Sequence, residues 1–319
     1  MTEMAALAFP GRSAPQASGR RAWVAAIAIL TLPIAAAGQN ARPAPDAEPA
    51  AVAAPSASDT PHLLIGVEAR RDRFRYHFDN LSSADTTFLV PHFFEQQYVA
   101  DNVWIVATAR YTAGVRWETT AGAAPQRTVR ADDYDTFFDP GEVVLVSGTT
   151  GGASMQSFRF SQRADVGRAG PFQLSVGYQL RWDRFDFHLG HKTVTRNGVL
   201  VAASEETSRE MTASQVHEVL FGLRAAPQVY GAWHLAVSGE ISPTTLARLS
   251  VQLPDKYPGQ DLVFPAKVVA ASARVALVRA GERWPIEIAM QVDHTWSYRS
   301  TARLSRAAQS VALSAGRTW

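Results

Sequence analysis

Between Val103 and Glu118 the chain reads V-W-I-V-A-T-A-R-Y-T-A-G-V-R-W-E. Odd positions carry Val103, Ile105, Ala107, Ala109, Tyr111, Ala113, Val115 and Trp117, whereas even positions include Thr108, Arg110, Thr112, Arg116 and Glu118. Apolar and polar residues alternating one by one give the period of a strand, not of a helix. The run is about three times as long as a soluble strand of ~5–6 residues. A long strand that is apolar on one face and charged on the other suits a wall between lipid and a polar interior.

The alternation recurs and predicts ten strands, at about 63–78, 92–100, 103–118, 156–166, 172–183, 215–224, 233–253, 263–279, 284–298 and 309–319. In the first, the apolar positions move from odd (Leu63, Ile65, Val67, Ala69) to even (Phe74, Tyr76, Phe78), which predicts a bulge. Asp101-Asn102 is expected to turn the second strand into the third. Short connections at 101–102, 167–171, 225–231 and 280–283 alternate with longer ones at 79–91, 120–155, 191–213, 254–262 and 300–307. Short periplasmic turns and longer outer loops are the rule for outer-membrane barrels. The last strand ends on Trp319, and a terminal aromatic resembles the assembly signal of such barrels. The predicted fold is therefore all-β, a ten-stranded antiparallel transmembrane β-barrel of the outer-membrane type. A soluble sandwich or lipocalin-like barrel would place Arg110, Arg116, Glu118, Arg181, Asp183, Glu240, Arg248, Glu287 and Asp293 in its packed core, because all lie opposite the apolar face.

The start of the chain agrees with this compartment. Arg20 and Arg21 precede an apolar run from Ala22 to Ala37 that contains Pro33 and is followed by small residues. This is the layout of a cleaved signal peptide, and about 16 residues is short for a spanning helix. Residues 1–37 are assigned to the signal and the Ala/Pro-rich stretch 38–61 to a disordered leader. Residues 62–319 are assigned to the barrel, within reach of one domain. The formal charge is +2, from 31 basic and 29 acidic residues. The signal region holds Arg12, Arg20, Arg21 and Glu3, so the remainder is formally neutral. The basic pI is then no argument for nucleic acid. The chain has no cysteine, and a closed ladder of strands stabilises without disulfides.

A barrel of this size is too narrow for a porin-like channel. Its inward charges are expected to pair with one another, and function is expected in the outer loops or at the rim. The predicted loop after the third strand reads A-D-D-Y-D-T-F-F-D-P-G, from Ala131 to Gly141. Clustered carboxylates there could hold Ca²⁺, activate a water, or form a solvated turn. The order of strands and loops, with Asp133-Tyr134-Asp135 followed by Pro140-Gly141, resembles the omptins, ten-stranded outer-membrane proteases. The resemblance implies that Asp133 and Asp135 flank a water that attacks a peptide bond. It also implies an Asp/His pair in the fourth outer loop. That loop reads Pro254-Asp255-Lys256-Tyr257-Pro258-Gly259, which offers Asp255 but a lysine where the histidine belongs. A protonated lysine has no acceptor for a proton from water.

The other histidines do not fill the gap. His188 and His191, near Asp186, lie three apart on a strand and so on opposite faces, which disfavours a metal site. His294 falls on the apolar face and its neighbour Asp293 inside, while His77 and His92 flank the first loop. No cofactor or metal is expected. The expected partners are outer-membrane lipid including lipopolysaccharide, and a peptide or surface ligand at the outer loops. Two functions remain: a non-catalytic, loop-presenting surface protein, or an endopeptidase using Asp133 and Asp135.

Overall fold

The computed structural model describes residues 61–79, 92–139, 142–255, 258–279, 283–298 and 302–318. The expected signal peptide and nearly all of the expected leader lie outside these residues. Among the described residues twelve strands are present: β1 His62–Asp79, β2 His92–Ala113, β3 Val115–Asp139, β4 Glu142–Ala169, β5 Phe172–Arg196, β6 Val199–Glu205, β7 Arg209–Ala225, β8 Gln228–Tyr230, β9 Trp233–Gln252, β10 Leu262–Arg279, β11 Ile286–Ser297 and β12 Ala302–Thr318. Ten of them form an antiparallel ring, β1-β2-β3-β4-β5-β7-β9-β10-β11-β12, closed by pairing of β1 with β12 from His62↔Thr318 to Phe78↔Ala302. β6 pairs with β5, and β8 with β9.

The strand number agrees with the sequence reading, but several boundaries do not. Asp101-Asn102 is no turn. β2 runs straight through it, and the chain reverses at Gly114, where φ is +74° and a side chain would be strained. Asn102 points inward and donates to Met155 Sδ at 3.2 Å, while Asp101 faces out near Arg71 at 3.6 Å. The opening stretch is thus the lower half of one hairpin. The expected loops at 120–155 and 191–213 are largely strand as well, formed by the β3–β4 hairpin and by β5, β6 and β7. The last strand begins at Ala302, well before residue 309.

β1 also has no bulge, since its register is continuous against both neighbours. Even positions point inward along its whole length, and what changes is chemistry. Outward Ile65 and Val67 give way to Arg71, Arg73 and Arg75, while inward Glu68, Arg70 and Asp72 give way to Phe74, Tyr76 and Phe78. The other strands switch at matching levels. Going up, the buried inward residues change from Asn102 to Ala100 on β2, Ser157 to Met155 on β4, Asp183 to Phe185 on β5, Glu218 to Val216 on β7 and Arg306 to Leu304 on β12. Outward residues change from Val103 to Asp101, Phe158 to Gln156, Trp182 to Arg184 and Val311 to Gln309. Below this level the outer surface is apolar and the inside polar, as lipid demands. Above it the barrel has a dry core and a charged outer wall, as water demands.

On β9 the phase itself shifts. Ser242 and Thr245 both point inward and share a hydrogen bond of 2.5 Å, with the extra residue between them breaking register against β7 and β10. Leu249 and Val251 therefore enter the upper core, and Arg248, expected inside, faces out.

The lower interior is a plug of ion pairs. Buried Arg70 contacts Glu68 at 2.9 Å, Asp72 at 3.1 Å and Asp293 at 2.6 Å. Arg159 holds Glu68 at 2.8 Å, Arg306 holds Asp72 at 2.7 Å, and Arg110 spans Glu118 and Glu287 at 2.6 and 3.0 Å. Burying so many charges is tolerable only because each finds partners. A cavity of about 30 Å³ remains beside Arg70, Arg181, Glu218 and Asp293, about the room for one water. The upper core is aromatic: Phe185 stacks on Tyr98 with centroids 3.9 Å apart and meets Phe74 edge-on at 4.9 Å.

Candidate functional site

The acidic motif lies in the wall of the upper barrel, on β3. Cross-strand register arranges the wall in rows. Asp133 lies in a row with Gln96 of β2, Thr149 of β4, Lys192 of β5 and Ser204 of β6. Asp135 lies one row higher, with Phe94, Ser147, Val194 and Ala202. Gln96, Phe94, Thr149 and Ser147 are buried, so both rows face inward. Strand alternation keeps Asp133 and Asp135 on one face with Cα atoms about 7 Å apart. Asp133 is buried and Asp135 half-buried. Asp132 takes the opposite face, where Arg130 reaches it at 3.2 Å.

A hydrogen-bonded line runs beside Asp133. Gln96 donates to Glu210 at 2.8 Å and accepts from the Tyr98 hydroxyl at 2.9 Å and from Thr212. Burial pushes the Tyr98 phenol well above its ordinary range, and the nearby Glu210 and Asp133 charges add to that against the Thr212 hydrogen bond. Tyr98 thus remains a neutral donor. At the far end of the row Lys192 pairs with Glu206 at 2.8 Å.

Asp255 lies elsewhere. It is exposed and accepts from the backbone N–H of Arg209 at 2.7 Å, whose guanidinium bonds Asp186 at 2.6 Å. That hydrogen bond from Arg209 lowers the Asp186 pKa. Asp255 so fastens the fourth outer loop to the start of β7. Lys256 and Tyr257 lie outside the described residues.

The described histidines of the upper barrel sit mainly on its outer wall. His77 bonds Asp79 at 2.7 Å and Glu95 at 3.3 Å. His188 is 67% exposed, 3.9 Å from Asp186, and His191 bonds Glu205 at 3.0 Å. Among the described residues no three side chains gather as metal ligands. His294 meets Trp296 edge-on at 5.1 Å on the outer face, while Asp293 is inside with Arg70. His92 occupies the register position opposite Phe137, one row above Asp135.

Glu210, Gln96, Thr149 and Lys192 escaped the sequence reading, although Glu210, Thr212 and Ser214 alternate in phase with the strand pattern of β7. Asn197-Gly198, both at positive φ (49° and 80°), is the two-residue hairpin signal that creates β6.

No family model matches the sequence, and no curated protein does. Among solved structures, the outer membrane protease OmpT from Escherichia coli superposes with a TM-score of 0.58 at 8% identity, covering 82% of this chain and 97% of that one. The chain is an outer-membrane β-barrel. Its apolar belt, its polar lower interior and its ring of ten strands all fit that location. Two further barrels match with lower scores. The translocator domain of the autotransporter NalP from Neisseria meningitidis has a TM-score of 0.31 at 8% identity, covering 81% of this chain and 88% of its own. Ail, the attachment invasion locus protein of Yersinia pestis, has a TM-score of 0.24 at 9% identity, covering 82% and 99%.

Proposed function

We propose that this barrel has an omptin-like architecture but acts as a non-catalytic surface protein, held in outer-membrane lipid and presenting its upper wall and hairpins to a ligand. One observation carries this reading. The acids Asp133 and Asp135 face inward, and the register neighbours of Asp133 on the two flanking strands are Gln96 and Thr149, neither of which is an imidazole. The Asp/His pair that the resemblance implies is also incomplete, because a lysine, which has no acceptor when protonated, stands at the matching position of the fourth loop. The second reading is an endopeptidase. It is favoured by Asp133 and Asp135 sharing one inward face at a spacing that admits a water between them.

Refolded protein is offered a library of peptides containing basic residues, beside the Asp133→Asn/Asp135→Asn double variant, with heat-modifiable gel mobility showing both to be folded barrels. Neither is expected to cut. Cleavage by the wild type and not by the double variant would overturn the proposal, and His92→Ala would then ask whether His92 supplies the base.

A further inference from the structure

The β5–β6 hairpin continues the wall beside β4 with one edge unused. β7 pairs with β5 only up to His188↔Arg209, and from His191 to Arg196 the partner of β5 is β6. Among the described residues β6 pairs with β5 and with nothing else, so its second edge offers a row of backbone donors and acceptors. All seven β6 residues are exposed, Val199, Leu200 and Val201 by 67%, 61% and 55%. The sequence V-L-V-A-A-S-E carries one charge, Glu205, at its lower end. Natural sheets usually blunt such an edge with lysine, proline or a bulge that turns it away. β6 has neither lysine nor proline, and its one bulge, at Val201 between the pairs Thr195↔Leu200 and Val194↔Ala202, leaves the apolar edge on display.

We infer that the free edge of β6 is a docking site for an extended polypeptide segment of another molecule, which adds to the β5–β6 ribbon as an antiparallel strand. This deepens the surface-protein reading and rests on it. The chemistry of the guest follows from the edge. It is about seven residues long, uncharged and β-prone through its middle. It has a lysine or arginine at its N-terminal end, which antiparallel pairing sets beside Glu205, whose side chain is 75% exposed.

Two other occupants fit less well. A second copy in the same membrane is related by rotation about the membrane normal, which keeps β6 pointing the same way and so forbids antiparallel pairing. With strands tilted by about 35–45°, the two copies of β6 would cross at roughly 70–90° and form no ladder. Lipid of the protein's own membrane is out of reach. From Trp182, the last outward apolar residue of β5, to Lys192 beside β6 is ten residues. That is roughly 33 Å along the strand, or about 23 Å of height at a 45° tilt.

The test uses the full barrel in lipid nanodiscs and a fluorescent, end-capped peptide Lys-Val-Thr-Val-Thr-Val-Thr. Binding is followed by anisotropy and by amide hydrogen exchange. The control peptide has proline at its second, fourth and sixth positions and cannot complete a ladder. Expected are binding of the first peptide alone, new protection at those amides of 199–205 that face the free edge, and about tenfold weaker binding in Leu200→Lys or Val201→Lys. In Glu205→Lys the preference should pass to a peptide that begins with glutamate. Heat-modifiable mobility confirms that each variant is folded. No binding at millimolar peptide, equal binding of the proline control, or protection outside β6 would each overturn the inference. So would a concentration-dependent dimer, or adsorption to protein-free vesicles, that Leu200→Lys abolishes. All measurements are repeated on Asp133→Asn/Asp135→Asn. Peptide cleavage that this pair removes would sink the non-catalytic reading, while docking measured on the double variant still decides the fate of the β6 site.

Discussion

The two halves of the barrel use one backbone pattern with opposite chemistry. In the lower half Ile65, Val67, Val311 and Leu313 face out and Glu68, Arg70 and Asp72 face in. In the upper half, on the same strand β1, Arg71, Arg73 and Arg75 face out and Phe74, Tyr76 and Phe78 face in. The strand never slips phase; only the outer solvent changes. In lipid, apolar burial gives no reason to fill the inside with hydrocarbon, so the interior can be a network of ion pairs. In water the hydrophobic effect demands a dry core, and the aromatic cluster around Phe185 supplies it. The boundary is drawn by neighbouring residues on each strand, such as Trp182 and Arg184 of β5.

The comparison breaks most severely where its lower half depends on charge. Arg70→Met leaves Glu68, Asp72 and Asp293 facing one another without their shared cation. Breaking a buried pair costs about 3–5 kcal/mol, and here three acids lose a partner. Urea unfolding of the barrel in lipid vesicles should show a loss at the upper end of that range. A loss below about 1 kcal/mol would mean that the plug is hydrated and contributes little.

A smaller effect sharpens the contrast between outer surfaces. Leu313 lies mid-belt, facing out beside Val67 and Ile288. Ser250 faces out in the upper half, beside Ala213 and Val263. Leu313→Arg should cost about 2–4 kcal/mol in vesicles, and Ser250→Arg less than about 0.5 kcal/mol. Equal costs would show that the belt is not in contact with lipid.

Much of this was legible in the alternation. Strand number, the closed all-β fold and the inward charges follow from period two, because a face that meets lipid must be apolar throughout. What the pattern concealed was the inversion. On β1 the apolar residues change sides at Ala69 to Phe74, and from hydropathy alone that is indistinguishable from a bulge. On β9 a real bulge at Ser242–Thr245 carried Arg248 outside with no hydropathy signal to mark it. Asp101-Asn102 has turn composition, yet it is polar because it sits at the boundary level. The acidic motif was legible as a cluster of carboxylates but not as part of a strand. Asp133 and Asp135 were expected in a loop, since a water-exposed strand with an apolar inside looks irregular when the outer side is assumed to be apolar. Gln96, Glu210 and Lys192 come from three other strands: register sets Gln96 and Lys192 in the row of Asp133, and a hydrogen bond joins Glu210 to Gln96.

The smallest expected effect tests whether the upper wall is wet. Glu95 faces out on β2, and partial burial works to raise its pKa. Hydrogen bonds from His77, Arg75 and Gln97, at 3.3, 2.6 and 2.7 Å, outweigh this and hold it at about 2 against an ordinary 4.5. The folded state thus binds the proton less well than the unfolded chain. The stabilisation is complete above about pH 4.5 and is lost as the pH falls towards 2. Because Arg75 is 56% exposed, solvent screens the interaction and its worth stays below about 1 kcal/mol. Amide protection factors at the upper ends of β1 and β2 should fall modestly across that window, and by less in high salt, which screens the pair. Glu95→Gln should flatten the profile there while leaving exchange around the buried Arg70 unchanged. If Glu95→Gln keeps the slope, another acid carries it. If exchange around Arg70 changes equally, the two halves unfold as one unit, and the difference between them is one of chemistry and not of stability.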